Sequence, residues 1–518
     1  QASAPASSAA PLPAPASGPS TTPAPSPEPA PVPAPGPAPS PSPSPSPSPS
    51  PSPSPSPGSA PAPALAGPID DVPPLSAVPA TPGHVWYVSA SSGSDANDGL
   101  DAARPFLTIG RALLPYRNAS FAGGDVVVIL PGTYHETIRI QSDAAGRSAG
   151  GTAGAYTTVM GMPGLARPVI VGNQAGQASA CAGCAAVQVW APYVRVSGLD
   201  VSAPGSAVLG TAIAATWPPV VDGQGVAHPV VHHVVIDHDV AHDSGCGGIE
   251  ASGADYVTIA SNTVYGNAKL APNQCSGISV GPMADYDQAA GYRTRIVDNL
   301  SYGNVVTVPV DYVRQGVRQS CPASQPDCHT DGNGIIVDSN HRYGYAGRTA
   351  VVGNLAFDNG GRGIEVFDSS HVDLVGNTAY HDLTDTHLLN FPLAGGELSV
   401  SRASDVGVTN NLAVALDASR AAFFIDAAGD TDWRCNLSFG GVVHVAGSTG
   451  PVVVDASNLV DVDPRFVAAA TDPAGADFHL RAGSPALAIG APPGYPVVDI
   501  GGTAVGATDR PDLGAYAR

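Results

Sequence analysis

The strongest constraint on the fold is an internal repeat, in which a short strand rich in Val and Ile runs into an asparagine. Five segments align on that residue without gaps, and a sixth fits with His238 in its place. The aligned asparagines are Asn262, Asn299, Asn354, Asn377 and Asn411. Strands this short cannot bury a face alone, so the repeated units must stack on one another. Asparagine tolerates left-handed backbone in tight turns, and we expect its amides to form a ladder along the stack.

A second strand, beginning with Gly-Ile, follows the turn in four units. Gly248 and Gly277 are 29 residues apart, as are Gly334 and Gly363. Glycine is abundant, with 60 residues, whereas charged residues make up only 13% of the chain, and this composition suits a turn-rich β architecture. The sequence therefore predicts an all-β fold, a right-handed parallel β-helix.

The repeat is interrupted between Gly277 and Gly334, where we expect insertions at roughly 280–294 and 305–330. A solenoid tolerates extra residues at its turns. Ordering two insertions on successive coils costs conformational entropy, so we expect them to form part of a functional surface. They would turn a flat face of the solenoid into a groove, which is the usual form of a binding site.

The N-terminal region has a different composition from the repeats. Residues 1–81 are mostly Ala, Pro and Ser, with an unbroken Pro-Ser alternation over 39–57. Proline removes backbone donors and favours extended geometry, and few large apolar side chains are present to drive packing. We expect a disordered Pro-rich leader or linker over 1–81, either a semi-rigid spacer or plain disorder. A β-helix domain would follow over 82–518, with caps at about 84–120 and 455–518.

The net charge of −21 bears on partners and location. About −18 of it falls on the folded part, a field that repels nucleic acid and anionic membranes. No run of about 20 apolar residues predicts a membrane-spanning helix. The chain begins at Gln1, which we interpret as a mature secreted or cell-surface protein whose signal peptide has been removed. We expect a monomer.

Seven cysteines are present, and in an exported protein cysteines pair as disulfides. Cys246 and Cys275 each lie two residues before an aligned glycine, so stacking would make them neighbours. The predicted pairs are Cys246–Cys275, Cys321–Cys328 and, with strain, Cys181–Cys184, leaving Cys435 over.

Both ends of the folded part resemble a known group of proteins. The opening motifs lie at 86–89, 93–99 and 105–109, and the closing motifs at 477–486 and 512–516. They resemble those of bacterial polysaccharide-lyase-type β-helix proteins, which include the family-nine pectate lyases. The resemblance implies the β-helix fold and action on a polysaccharide. Related β-helices include lyases, alginate epimerases, hydrolases and adhesins, so the fold leaves the chemistry open.

Among these activities we expect a Ca²⁺-assisted lyase that cleaves a uronic-acid polysaccharide by β-elimination, with an anionic polysaccharide as partner. Such a lyase needs a base to remove a proton and a cation to neutralise the uronate. An epimerase or glycoside hydrolase on the same fold is one alternative, and a non-catalytic glycan-binding or adhesion protein is another. A hydrolase would pair Asp331 with Glu365 or Asp338.

The richest polar stretch, 328–338, follows the second insertion. Asp331-Gly332 matches an Asp-Gly motif beside the Ca²⁺ cluster of the family-nine lyases, but the second Asp and the Lys expected on the next strand are not matched. Lys269 is the only lysine of the chain, and it is either the base or an ordinary exposed turn residue. Aligning the glycines stacks His329 on Asp358.

The candidate site residues fall into three groups. The candidate catalytic residues are Lys269, His329, Asp331 and Glu365. The candidate substrate-binding residues are Arg293, Arg314, Arg318 and Arg362. The candidate Ca²⁺ ligands are Asp331, Asp338 and Asp358. A structural role in the turn is the alternative for His329 and Asp331.

Overall fold

The computed structural model describes residues 72, 74–81, 83–113, 118, 120–141, 148–172, 185–204, 210–314, 317–492, 497–506 and 509–516. Within these ranges the only helices are the α-helix Ile109–Leu113 and the 3-10 helix Asn340–Tyr343. Most of the predicted leader and the pair Cys181–Cys184 lie outside the described residues.

Three long parallel sheets make up the fold, and each turn of the chain contributes one strand to each sheet. The 12 strands of sheet one are Val85–Val88, Val126–Ile129, Thr157–Gly161, Val194–Ser197, Val231–Asp237, Ala254–Ala260, Tyr292–Val297, Arg348–Val352, Ser370–Val375, Ser404–Thr409, Gly429–Arg434 and Val452–Val454. The 11 strands of sheet two are Thr133–Tyr134, Val169–Val171, Asp200–Ser202, Val240–His242, Thr263–Tyr265, Leu300–Tyr302, Leu355–Phe357, Thr378–Tyr380, Leu412–Val414, Leu437–Phe439 and Leu459–Val460.

Sheet three closes each coil. Its 10 strands are Ile138–Gln141, Val187–Trp190, Ile213–Thr216, Ile249–Ser252, Ile278–Val280, Ile335–Asp338, Ile364–Phe367, Gly396–Ser401, Ala421–Asp426 and Val442–Ala446. Strands of the same sheet pair in parallel from one coil to the next, which confirms the predicted parallel β-helix. Ile336 lies opposite Glu365 and Asp338 opposite Phe367, which is the register predicted by aligning Gly334 with Gly363.

Alternation along the strands fills the interior of the coil. In Ala254–Ala260, the side chains of Val257 and Ile259 are fully buried, whereas Thr258 is partly exposed. Sheet three repeats the pattern, with Ile335 and Val337 inside and Asp338 facing outward. Inward residues of all three sheets belong to one continuous core, as expected when successive side chains of a strand point to opposite faces.

The predicted asparagine ladder is present and fully buried. Asn262 donates its side-chain amide to Asn299 Oδ1 at 3.0 Å, and the same bond recurs through Asn354, Asn377 and Asn411. It continues beyond the predicted residues to Asn436 and Asn458. Each side-chain oxygen also accepts a backbone N–H from the coil before it, so the ladder pairs turn groups that have no sheet partner.

Two details of the ladder differ from the prediction. Asp239, and not His238, precedes Asn262, because the strand register places His238 opposite Ser261. The left-handed backbone belongs to the residue before each ladder position, as at Ser261 with φ of 53° and Gly353 with φ of 67°. Polar residues therefore occupy both positions of the turn, which explains the error of one residue.

A second ladder, which the sequence analysis did not predict, runs along the next turn. Asn267 donates to Asn304 at 3.0 Å, Asn304 to Asn359 at 2.9 Å, and Asn359 to Asp382 at 2.8 Å. These four side chains are fully buried. The two ladders together fix the register of neighbouring coils on both sides of sheet two.

Two predicted disulfides are confirmed. Cys246–Cys275 joins adjacent coils with Cα atoms 5.3 Å apart, and Cys321–Cys328 closes a loop inside the second insertion. Within the described residues, Cys435 is the one free cysteine.

The C-terminal region covers the side of the β-helix. Phe478 stacks near Phe357 with ring centroids 5.4 Å apart, and Leu513 joins the same cluster. Ala515 N donates to Thr378 Oγ1 at 2.9 Å. The predicted closing cap thus packs on the outer face of sheet two, where apolar side chains point outward.

Short antiparallel pairs lie outside the three sheets. They are Val220–Val221 with Ala227–His228, Asp311–Arg314 with Val317–Ser320, Phe466–Ala468 with Asp477–Leu480, and Val497–Val498 with Ala504–Val505. Before the first strand, Leu75 and Val78 pack against Val128 and Met160 of sheet one. No helix among the described residues is long and apolar enough to cross a bilayer.

We predict that Asn354→Ala destabilises the fold by on the order of 3 kcal/mol, because it leaves the buried backbone N–H of Asn299 without its acceptor and removes the side-chain bonds to Asn299 and Asn377. Urea unfolding followed by circular dichroism measures the change. Asn458→Ala is the matched control, because Asn458 ends the ladder and has a ladder neighbour on one side only. An equal loss in both variants would contradict a cooperative ladder.

Candidate functional site

The two insertions flank opposite ends of the sheet-three strands. The first, at 280–294, follows Ile278–Val280 and leads into sheet one. The second, at 305–330, precedes Ile335–Asp338 and carries the hairpin formed by Asp311–Arg314 and Val317–Ser320. The outer face of sheet three therefore lies between them, and this face is the groove considered below.

Three carboxylates and one guanidinium group converge on this face, and we call them the acidic cluster: Asp331, Asp338, Glu365 and Arg362. Glu365 points outward beside Ile336 of the neighbouring coil, and its side chain is 4% exposed. Asp331 and Asp338 lie at the two ends of the same coil segment and are partly exposed. The structure thus brings together four residues that the sequence analysis selected.

Burial and mutual repulsion keep protons on this cluster. Burial, and then the negative charge of Glu365, raise the pKa of Asp331 to about 8, although Arg362 opposes the shift. The pKa of Glu365 is also raised, first by burial and then by the charge of Asp338, against the effect of Arg362. At neutral pH Asp331 is therefore mostly a neutral acid that can donate a proton.

Arg362 and Asn333 hold the cluster in place. Arg362 Nε lies 3.6 Å from Glu365 Oε1, and its other guanidinium nitrogens donate to the carbonyls of Thr330 and Ala394. Asn333 Nδ2 donates to Glu365 Oε2 at 3.3 Å, while Asn333 Oδ1 accepts the backbone N–H of Arg362 at 2.8 Å. Arg362 is engaged inside the chain, so it positions Glu365 and the strand ends.

His329 has partners that the alignment did not anticipate. Its ring Nδ1 bonds Asp385, whose other oxygen lies 3.2 Å from His387 Nδ1. The backbone of His329 pairs with the segment around Leu388. The expected stacking of His329 on Asp358 is wrong, because the long loop before Gly396–Ser401 folds back onto this coil. Neither Asp385 nor His387 belongs to the repeat, so no repeat signal marked them.

Asp358 lies apart from the acidic cluster. It follows sheet two, and its Oδ1 is 3.1 Å from His381 Nδ1. The predicted Ca²⁺ ligand set of Asp331, Asp338 and Asp358 is therefore not brought together. Asp331, Asp338 and Glu365 interact electrostatically. Their carboxylate oxygens do not all lie within 4.8 Å of one another, the spacing at which one metal ion could bind all three.

Lys269 lies at the sheet-two end of its turn. Its Nζ is 3.3 Å from Asp243 Oδ1, and its side chain is about half exposed. Asp243 also bonds His242, which follows the same edge. This exposed ion pair places the lysine with sheet two, whereas the acidic cluster lies on sheet three.

Arg293 and Arg318 differ from the expectation that they bind substrate. Arg293 is buried, with 1% of its side chain exposed, and its ionic partners are Asp255, Asp285 and Asp287. It therefore stabilises the first insertion and has no surface to offer a polymer. Arg318 is exposed and forms two 2.8 Å bonds to Asp311 across the hairpin. The backbone of Arg314 ends the first hairpin strand.

Comparison with known proteins gives structural likenesses only. No family model matches the chain, and no curated protein matches it. Among solved structures, the chain is similar to pectate lyase Pel9A, with 17% identity over 84% of this chain and 96% of that chain and a TM-score of 0.43. It is also similar to XylC in complex with xylose, with 11% identity, coverages of 74% and 87%, and a TM-score of 0.41. A third similar structure is an alginate lyase from Paenibacillus sp., with 12% identity over 71% of this chain and 99% of that chain and a TM-score of 0.32.

These likenesses include polysaccharide-lyase-type β-helix structures, as the sequence motifs led us to expect. The fold assignment itself rests on the strand pairing within the chain.

We predict that Asp331→Asn makes the protein more stable than wild type at high pH. A folded-state pKa of about 8 lies above the ordinary value, so the stability linked to Asp331 is present at acidic pH. It is lost as the pH rises towards 8. Melting temperatures between pH 4 and 9 should show a gap that widens with pH in favour of the variant. Asp430→Asn, at an exposed position of the strand Gly429–Arg434, is the isosteric control, and a pH-independent gap would contradict the prediction.

Proposed function

We propose that the protein is a polysaccharide-cleaving enzyme, a glycoside hydrolase that acts in the groove over sheet three. The observation that carries this proposal is the convergence of Asp331, Asp338, Glu365 and Arg362 on the outward face between the two insertions. Hydrolysis of a glycosidic bond requires an acid that is still protonated and a second carboxylate that is ionised.

Asp331 fits the role of the acid. Burial and the charge of Glu365 raise its pKa to about 8, so at neutral pH it can protonate the oxygen of the leaving sugar. Asp338 is the more exposed of the other two carboxylates, and we assign it the role of base. The glycosidic C–O bond breaks as water attacks the anomeric carbon, Asp338 takes a proton from that water, and Asp331 gives its proton to the leaving oxygen.

Glu365 acts through Asp331 in this mechanism. It is almost fully buried, so it is poorly placed to meet a polymer, but its charge keeps the proton on Asp331. Arg362 and Asn333 hold Glu365 where this effect is strong. We therefore treat Glu365 as a positioning residue, whereas Asp331 and Asp338 would contact the substrate.

We expect Asp331→Asn and Asp338→Asn to reduce hydrolysis by at least about 100-fold, the usual effect of removing a general acid or base. Release of reducing ends from a panel of polysaccharides measures the activity. Asp358→Asn is the control, because Asp358 pairs with His381 away from the cluster and should keep full activity. Full activity in the Asp331→Asn protein would rule out the proposed acid.

We also predict the pH profile. Activity should fall as the pH rises through about 8, because Asp331 must be protonated to act. Glu365→Gln removes the charge that helps to raise the pKa of Asp331, so the alkaline limb of kcat/KM should move to lower pH. If the alkaline limb of kcat/KM is unchanged in this variant, the charge of Glu365 does not raise the pKa of the proton donor.

A Ca²⁺-assisted lyase is the second candidate, and it is favoured by the carboxylate oxygens, the ligand type that Ca²⁺ prefers, on the outer face of sheet three. Bound Ca²⁺ would neutralise a substrate carboxylate, and the chain would still have to supply a base. Lys269 pairs with Asp243, which leaves His329 as the next candidate base. A new absorbance near ~235 nm, which marks the unsaturated product of β-elimination, together with inhibition by a chelator, would favour the lyase.

His329→Gln separates the two candidates further. A hydrolase using Asp331 and Asp338 should keep its activity in this variant, whereas a lyase with His329 as base should lose it. We further propose that the protein works outside the cytoplasm, because disulfides such as Cys246–Cys275 persist in oxidising compartments.

A further inference from the structure

A second site lies on the outer face of sheet three, several coils before the acidic cluster. Trp190 ends the strand Val187–Trp190, and Trp217 directly follows Ile213–Thr216 on the next coil. Their ring centroids are 4.9 Å apart with an interplanar angle of 60°, and Trp217 is 40% exposed. A large aromatic surface that is exposed to solvent on a regular sheet is typical of a binding site.

Polar groups line the same pocket, which has a volume of about 220 Å³. Gln188 Nε2 donates to Thr216 Oγ1 at 3.1 Å, and Thr211 Oγ1 donates to Glu250 Oε2 at 3.4 Å. An open apolar wall with a few convergent amide, hydroxyl and carboxyl groups is typical of small-ligand sites. A sugar ring has this complementary character, because its C–H face is apolar and its rim carries hydroxyl groups.

The strand register aligns this pocket with the acidic cluster. One outward row of sheet three runs through Gln188, Ala214, Glu250, Ser279, Ile336 and Glu365. Four inter-strand steps separate Ala214 from Glu365, which corresponds to roughly 19 Å at ~4.8 Å per step. A polymer lying along the helix axis would therefore meet both sites at once.

The charged groups that line the pocket determine whether it can bind an anionic or a neutral sugar. Its described lining contains no Lys or Arg, and its one ionisable side chain is Glu250. Burial raises the pKa of Glu250, and the bond from Thr211 opposes this only in part. A uronate carboxylate would find no cation here and an acidic neighbour, in a chain that is already strongly negative.

We propose that the Trp190–Trp217 pocket is a distal subsite that binds an uncharged pyranose ring of the same polysaccharide chain. The identity of that chain as the substrate rests on the function proposed above. The ring stacks on Trp217, and its hydroxyls bond Gln188 and Glu250. The substrate is then an extended polysaccharide that contains neutral sugars, and a homopolymer of uronic acid is excluded.

Binding in the catalytically disabled Asp331→Asn protein tests this proposal. Affinity gel electrophoresis with xylan, galactomannan and polygalacturonate, together with quenching of tryptophan fluorescence, reports binding without turnover. We expect retardation by a neutral polymer, and an affinity about tenfold weaker after Trp217→Ala. Val221→Ala, exposed on the hairpin of the same loop and outside the pocket lining, should bind as the parent does.

Equal binding with and without Trp217, or binding of polygalacturonate alone, overturns the subsite. In the catalytically competent chain, Trp217→Ala should raise KM for long chains while leaving KM for the shortest cleaved oligosaccharides unchanged, because only long chains span the roughly 19 Å. A uniform rise in KM would also overturn it. Full hydrolytic activity in Asp331→Asn would refute the proposed acid and leave the subsite result standing, so the two failures are distinguishable.

Discussion

Buried hydrogen bonds between the turns of successive coils are the interaction on which the rest of the structure depends. A β-helix turn leaves backbone N–H groups that no sheet strand can pair, and burying them unpaired would cost about 1–3 kcal/mol each. The asparagine oxygens accept these groups, and the amides pass the bond to the next coil. Because the two ladders border sheet two, they fix the axial positions of the coils that they join, and the outward rows of sheet three in those coils share that alignment.

This alignment explains how a regular scaffold can hold an unfavourable cluster of acids. Glu365 is brought beside Asp331 by strand pairing that the whole stack enforces, although both carboxyl groups lose hydration there. Arg362 and Asn333 offset part of this cost through their contacts with Glu365. The rest of the cost falls when Asp331 keeps its proton, and the pKa of Asp331 is raised for this reason. Ionisation of Asp331 at alkaline pH therefore lowers the stability of the fold, and the many hydrogen bonds between coils offset this loss.

Sequence reasoning succeeded for several features that the repeat spacing places one coil apart, although it missed the second ladder in the same repeat. The ladder residues, the Cys246–Cys275 bond and the register of Ile336 with Glu365 follow from one alignment. It failed where contacts come from segments outside the repeat. The partner of His329 lies on a long loop, so spacing could not place it. Arg293 looked like a binding residue in a list of charges, but the acids that bury it belong to strand and insertion positions with no shared period.

The pairing of the arginines within the chain bears on which polysaccharide the proposed groove could bind. An anionic polymer approaching a chain of net charge −21 needs free cations, and the sequence analysis assigned that task to arginines. Arg293, Arg318 and Arg362 are instead engaged by carboxylates or carbonyls of the chain itself. Asp331, which keeps its proton at neutral pH, and the Trp190–Trp217 pocket, whose described lining contains no cation, both suit a sugar without charge. Elimination requires a carboxylate on the sugar, whereas hydrolysis does not, so the charge distribution and the protonation of Asp331 favour the same reaction.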